Sequence, residues 1–474
     1  MKKYLLFAAA LLLCAGARAK VVLPHVFGDN MVLQQKTEAA FWGTASARAK
    51  VTIAPSWTKD KTVVTAGSDG KWSARVQTPE AGGPYEIELS DGEKTTLSNV
   101  LVGEVWFCSG QSNMEMPVKG FAAQPVEGSL DEILNASTTR QIRVCNVVRK
   151  TSFKEEEDAD CRWVTCSPGM VASTSATAWF FASQLERTLG VPVGLVLSKW
   201  GGTKIESWMD RDAYLKINPG VDLVQMEKNT SVEPHRKACT LFNGMVAPVI
   251  PFTVKGWIWY QGESNRQNSA QYAALMEGYA QMMRSRWNSP AMPFYYVQIA
   301  PYRYTSDPMD TSGALLMEAQ EKALDLIPNS GMATTLDVGD PDCIHPARKR
   351  QVGQRLAALA LEHTYGMKVI KADAPRFTGF IVDGKKMVLS FNVDSQGLAP
   401  LGHKIVGFEV AGEDKVFHPA DARVAKDRHS VEVVIPAGIG TPAAVRYAFH
   451  DCGVGNLTSC WGIPVGPFRS DSWE

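Results

Sequence analysis

Four short polar segments carry the groups that acyl-transfer chemistry needs. Ser109-Gly110-Gln111-Ser112-Asn113-Met114 offers a hydroxyl beside a glycine, and Lys199-Trp200-Gly201-Gly202-Thr203 offers two glycine N–H groups. Gln261-Gly262-Glu263-Ser264-Asn265 supplies amides and a carboxylate. Asp337-Val338-Gly339-Asp340-Pro341-Asp342-Cys343-Ile344-His345-Pro346 supplies an imidazole with a carboxylate three residues before it. Serine attack on an ester requires a base, a group that orients the base and donors for the oxyanion. Ser112, His345 and Asp342 fit the roles of nucleophile, base and orienter. The N–H groups of Gly201 and Gly202 can approach an oxyanion closely, and Gln261 can add a side-chain donor. Asn113, Glu263 and Asn265 are polar lining candidates. Glu263 could act as a base or organise its loop through hydrogen bonds.

Each signal alone has an ordinary explanation. Ser112 could cap a helix. The surroundings of Ser112 are not the Gly-x-Ser-x-Gly elbow of the α/β-hydrolases. The two glycines could form a plain turn, and Asp342 with His345 could be a surface pair. Their spacing places both side chains on one face of a turn. Asp340 and Asp337 compete for the carboxylate role, and Pro346 suits the first position of a following helix. The conjunction of all the parts is more specific than any one.

What brings them together is a set of predicted strands that precede them. Apolar runs over 102–108, 142–148, 193–197, 254–260, 294–299 and 332–336 alternate with helical patterns over 177–189, 270–287, 313–326 and 346–363. Such alternation implies a mostly parallel sheet with helices on both faces, an α/β fold. In open parallel sheets ligands bind beyond the C-terminal ends of the strands, where the four segments fall. The stretch 20–100 is predicted as an antiparallel β domain. Residues 101–370 form the catalytic region, and 371–474 a second β domain.

The 474 residues exceed one ordinary core. Lys plus Arg (49) balances Asp plus Glu (49), so no basic excess points to nucleic acid. A neutral sugar derivative or small weak acid suits that balance. Lys2 and Lys3, an apolar run and Ala17-Arg18-Ala19 predict a signal peptide over residues 1–19, and therefore export to a periplasmic or extracellular space. No later segment suits a membrane span. An oxidising compartment permits disulfides, and the short separations suggest Cys161 with Cys166 and Cys452 with Cys460. No Cys-x-x-Cys pair suggests structural zinc.

The four segments resemble the blocks of the SGNH (GDSL-like) hydrolases, and more closely those of the sialate O-acetylesterase family. Gly110-Gln111-Ser112-Asn113-Met114 is similar to its first block, and Gly201-Gly202-Thr203 through Ile205-Glu206-Ser207-Trp208 to its second. Trp259-Tyr260-Gln261-Gly262-Glu263-Ser264 is similar to the third, and Asp342-x-x-His345 to the last. Phe27-Gly28-Asp29-Asn30-Met31-Val32-Leu33-Gln34 and Pro467-Phe468-Arg469-Ser470-Asp471 extend the likeness over nearly the whole chain. The resemblance implies a flavodoxin-like three-layer α/β/α domain flanked by antiparallel β domains, with no cofactor or metal. It implies Ser112 as nucleophile, His345 as base and then acid, and Asp342 as orienter. The oxyanion hole would come from the Ser112 N–H, Gly201 or Gly202, and Gln261. The third block carries Gln261 where the wider superfamily has an asparagine. The implied substrate is an O-acetylated sialic acid. Acetyl-xylan or another acetylated sugar is the alternative, and a non-catalytic carbohydrate-binding protein is a rival from another class. Arg303 and Arg348 lie near the right loops to meet a sialate carboxylate.

Overall fold

Seven strands form the row that carries the site: β1 (Lys94–Gly110), β2 (Ile142–Asn146), β3 (Trp163–Thr165), β4 (Val193–Lys199), β5 (Gly256–Tyr260), β6 (Phe294–Val297) and β7 (Ser330–Ala333). Two of them show why they sit in the middle. In β1, Val105 and Phe107 face one core while Trp106 and Cys108 face the other; in β5, Trp257 and Trp259 oppose Ile258 and Tyr260. Strands that are apolar on both faces need cover on both. The computed structural model, which describes residues 20–473, provides it. Helices Ala176–Leu189 and Lys349–Leu359 cover one face, and Ser269–Arg286 and Ser312–Leu326 the other.

The spatial order is β7-β6-β5-β1-β4-β2-β3. All neighbours are parallel except β3, which pairs antiparallel with β2. Without β2 and β3, the chain order of the remaining strands is that of a flavodoxin-like sheet. β2 and β3 extend that sheet on the β4 side. From β1 the chain goes outward to β2, returns to β4, then crosses to β5. The C-terminal ends of β4, β1 and β5 therefore flank the point where the winding reverses, and the crevice lies there.

The predicted division at residue 100 falls inside β1. Its first half pairs antiparallel with Gly82–Ser90 and its second half pairs parallel with β4 and β5. The N-terminal strands also share a core with the helical layer: Phe27 stacks on Phe41 at 5.0 Å and meets Phe252 at 5.5 Å. Further on, two four-stranded antiparallel sheets bury a separate core that includes Leu389, Val410, Val431 and Tyr447. Arg376 and Arg469 tie these sheets to helix Ser312–Leu326 through Asp325 (2.7 Å) and Glu318 (3.1 Å).

Some expectations are corrected. The last helix begins at Lys349, with Pro346 in the turn before it, because that turn is pulled into the site. All eight described cysteines are free thiols. Cys161 lies in the core of one sheet face beside Cys145, and Cys166 in the core of the opposite face, so those two cannot pair. Cys460 donates its thiol to the Gln396 carbonyl at 3.1 Å and is not bonded to Cys452. The predicted signal peptide, with Cys14, lies outside the described residues. No described helix is long and apolar enough to cross a membrane.

Candidate active site

The nucleophile's turn depends on one glycine. Gly110 ends β1 with φ +146°, and a Cβ there would stand 2.2 Å from the Tyr260 carbonyl oxygen. The tight approach lets Gln111 N–H bond Tyr260 O at 2.9 Å and turns the chain into the short helix Ser112–Glu115. Gln111, not Ser112, occupies the cap position. The Ser112 hydroxyl is thus not spent on capping, and the residue is half-buried at the sheet's edge.

Carboxamides lace the loops together beneath it. Gln111 Oε1 accepts from Gln261 Nε2 at 3.0 Å and from the Gly262 and Ser264 N–H groups at 3.3 Å. Gln261 Nε2 also donates to Thr203 O and Asn265 Oδ1, while its Oε1 accepts from Tyr272 at 2.6 Å. Asn265 Oδ1 accepts from the Ile205 N–H, and its Nδ2 donates to Glu206 at 2.8 Å. Gln261 and Asn265 are fully buried and committed to these bonds. The structure therefore places Gln261 under the site as a tie between loops, where its amide has no proton left for an oxyanion.

Asn113 ties in the fourth loop. Its Nδ2 donates to Glu263 Oε1 at 2.6 Å and to Ile344 O at 3.0 Å, and its Oδ1 accepts from Lys349 Nζ at 2.8 Å. Lys349 Nζ also donates to Pro346 O at 2.6 Å. The carbonyls on either side of His345 are thus held by one buried relay, Glu263–Asn113–Lys349. Burial pushes the Lys349 ammonium down to about 7 despite the nearby carboxylate, and pushes the Glu263 carboxyl up. Glu263 Oε2 is buried with no hydrogen-bond partner among the described residues. Glu263 and Asn113 organise the site from behind.

His345 is held differently from the expectation. Its Nδ1–H donates to Gln124 Oε1 at 2.7 Å, and its ring packs edge-on against Phe121 at 5.2 Å. Asp342 does not reach it. The Asp342 side chain is 78% exposed and accepts from Arg303 at 2.9 Å. Asp337 is held by both Arg355 amines at 2.7 Å, and Asp340 caps the Asp342 N–H. With no carboxylate on the ring, burial and the Lys349 charge push His345 down to about 4.

On the opposite side, Gly201 touches the nucleophile: an added Cβ would lie 3.2 Å from Ser112 Cβ. Its N–H donates to Glu115 Oε2 at 2.5 Å, and Glu115 is paired with Arg149. Gly202, at φ +70°, follows in the same turn.

A family model described as a carbohydrate esterase, sialic acid-specific acetylesterase, matches residues 102–362. The chain belongs to this family. As a member it is a carboxylic ester hydrolase. Among relatives, the sialate O-acetylesterase of Rattus norvegicus is 29% identical over 93% of both chains. That of Homo sapiens is 27% identical, covering 89% of this chain and 86% of its own. A crystal structure of a carbohydrate acetylesterase from Xanthomonas citri is 32% identical with a TM-score of 0.85, covering 96% of this chain and 100% of that one.

The sequence did not single out three residues of this esterase's site. Gln124 lies in a loop without periodicity, and nothing in its surroundings marks it. Glu115 stands in the Ser112 helix and reads as a solvated surface acid. Lys349 sits in Arg348-Lys349-Arg350, which reads as a solvated basic run. One signal was available for Lys349: cations at a helix N-terminus oppose the helix dipole, so a basic start calls for a buried partner. Arg303 and Arg348 are both engaged, Arg303 by Asp342 and Arg348 by the Asp337 carbonyl at 2.6 Å.

Proposed function

We propose that this esterase removes O-acetyl groups from sialic acids through Ser112 and His345, releasing acetate. The observation that carries the reading is the meeting of Ser112, Gly201 and the clamped His345 loop at the reversal of the sheet. Neutral His345 takes the proton from Ser112 Oγ as Oγ bonds the acetyl carbonyl carbon. The Ser112 and Gly202 N–H groups are the donors for the oxyanion, and the Gly201 N–H joins them if Glu115 releases it. The imidazolium then protonates the sugar oxygen as the C–O bond breaks. Water, deprotonated by the same imidazole, attacks the acetyl-serine; the imidazolium returns that proton to Ser112 Oγ as the Oγ–acyl bond breaks and acetate is freed. Gln124 Oε1 on Nδ1–H keeps Nε2 as the proton acceptor. Asp342 takes the orienting role only if it leaves Arg303.

A second reading, deacetylation of xylan or another acetylated sugar, is favoured by the 32% identical carbohydrate acetylesterase. Export through residues 1–19, and a catalytic region 101–370 framed by β domains 20–100 and 371–474, complete the proposal. The test is acetate release from O-acetylated sialic acid and from acetyl-xylan, with Ser112→Ala as control. Near wild-type turnover by a folded Ser112→Ala variant overturns the nucleophile assignment. Release from acetyl-xylan alone selects the second reading.

A further inference from the structure

A cavity of about 600 Å³ lies beyond the Gly201–Gly202 turn, between residues 204–214 and 225–238. Lys204, Lys228 and Arg236 line it against a single carboxylate, Glu206, beside the buried Lys237, whose Nζ donates to the Glu227 carbonyl at 2.7 Å. Glu206 is already bonded to Asn265 at 2.8 Å. The chain as a whole carries no net charge, so this positive surplus is local. Arg236 is exposed and joins no ion pair among the described residues, unlike Arg149, which is paired with Glu115.

Arg236 also faces the catalytic turn. A Cβ at Gly202 would lie 3.2 Å from the Arg236 guanidinium, as one at Gly201 would lie 3.2 Å from Ser112 Cβ. The two glycines are one Cα step apart, so the guanidinium is on the order of 10 Å from the nucleophile. Its chain neighbour His235 stacks flat on Trp200 at 4.9 Å, and Arg149 covers Trp200 at 5.2 Å. An exposed guanidinium that joins no ion pair among the described residues, at the edge of a basic cavity, is suited to bidentate capture of a carboxylate.

We infer that Arg236 and this cavity form the subsite for the carboxylate of an acidic sugar whose acetyl ester lies at Ser112. The inference rests on the sialate reading and supplies the arginine that reading lacked. A sialic acid carries its carboxylate at one end and acetylated hydroxyls toward the other. A neutral acetyl-xylan has no group for Arg236 to bind.

The experiment compares wild type, Arg236→Ala and Arg236→Lys on three substrates: O-acetylated sialic acid, its carboxylate methyl ester and p-nitrophenyl acetate. Arg236→Ala is expected to raise KM for the free acid about 10- to 100-fold with little change in kcat. The preference for the acid over p-nitrophenyl acetate should fall by the same factor. Arg236→Lys should recover part of it, and the methyl ester should be a poor substrate for wild type. Wild-type preference retained by Arg236→Ala overturns the subsite and leaves the sialate reading standing. An equal loss on all three substrates makes Arg236 structural and also overturns it. If wild type cleaves p-nitrophenyl acetate and neither sialate, both readings fail together.

Discussion

Which group orients His345 can be decided by two single substitutions, Gln124→Ala and Asp342→Asn. Gln124 Oε1 accepts from Nδ1–H at 2.7 Å. As a neutral hydrogen bond it is worth about 1 kcal/mol, rising to about 1.5–3 kcal/mol as the ring becomes imidazolium. Only the difference between the free enzyme and the transition state, about 0.5–2 kcal/mol, enters kcat/KM, so its loss should lower kcat/KM about 2- to 30-fold. Asp342 is 78% exposed and its partner Arg303 57% exposed. Such a pair contributes about 0–1 kcal/mol, so Asp342→Asn should cost less than about fivefold. Where a carboxylate does hold the histidine, the same Asp-to-Asn change costs about 10⁴. The two arrangements therefore differ by orders of magnitude in one measurement. Hydrolysis of p-nitrophenyl acetate, with circular dichroism to verify folding, is a sufficient assay. A loss above about 10³ in Asp342→Asn, with Gln124→Ala near wild type, would refute the orientation by Gln124.

Other outcomes follow from the charges around His345. Its neutral form is the active base, and its pKa is pushed down to about 4; kcat/KM should therefore stay level from pH 7 to about pH 5 and fall near pH 4, whereas an acid limb at the ordinary histidine pKa would contradict the burial argument. Gln124→Glu places a carboxylate on Nδ1 and should move that limb upward by about one to three pH units, read from the same profile. Lys349→Met removes a cation that holds His345 down, so its limb should also rise. The folded chain releases the Lys349 proton at about pH 7, while the unfolded chain keeps it to about 10.5. Between these values the unfolded state binds more protons, so wild-type stability should rise with pH across that window. Lys349→Met should lose this rise in urea unfolding, and an unchanged slope would show that Lys349 is not buried in its charged-to-neutral transition.

The strands of the catalytic region were legible as short continuous apolar runs and its helices as periodic ones. The four chemical segments were legible because they follow strand ends. The expected division at residue 100 coincides with a change of burial inside one strand. Residues 94–99 of β1 are mostly exposed or half-buried and 100–111 are buried throughout. The strand passes from the edge of one sheet into the middle of another without a break. Partners far apart in sequence could not be read at all. Gln124 and His345 are separated by 221 residues, and Asp342 and Arg303 by 39. The Asp-x-x-His spacing suggested that both side chains share one face, yet Asp342 turns out to Arg303 while His345 turns in to Gln124.

The choice of amides over charges near the base has a chemical consequence. Gln111, Gln261, Asn265, Asn113 and Gln124 can each donate and accept, so they join the loops without placing a charge on the imidazole. The buried charges, Glu263 and Lys349, are joined through Asn113, and it is the Lys349 charge that bears on the ring. An imidazole so placed is neutral at any working pH but is a weak proton acceptor. The tetrahedral oxyanion then brings new negative charge to the crevice, close to Ser112 and its donors. A nearby negative charge raises the proton affinity of an imidazole. His345 therefore becomes a stronger base as the oxyanion forms, which is the moment at which it must hold the Ser112 proton. A carboxylate fixed on Nδ1 would supply that affinity before the substrate arrives and protonate part of the enzyme at acidic pH; the amide defers it to the reaction itself.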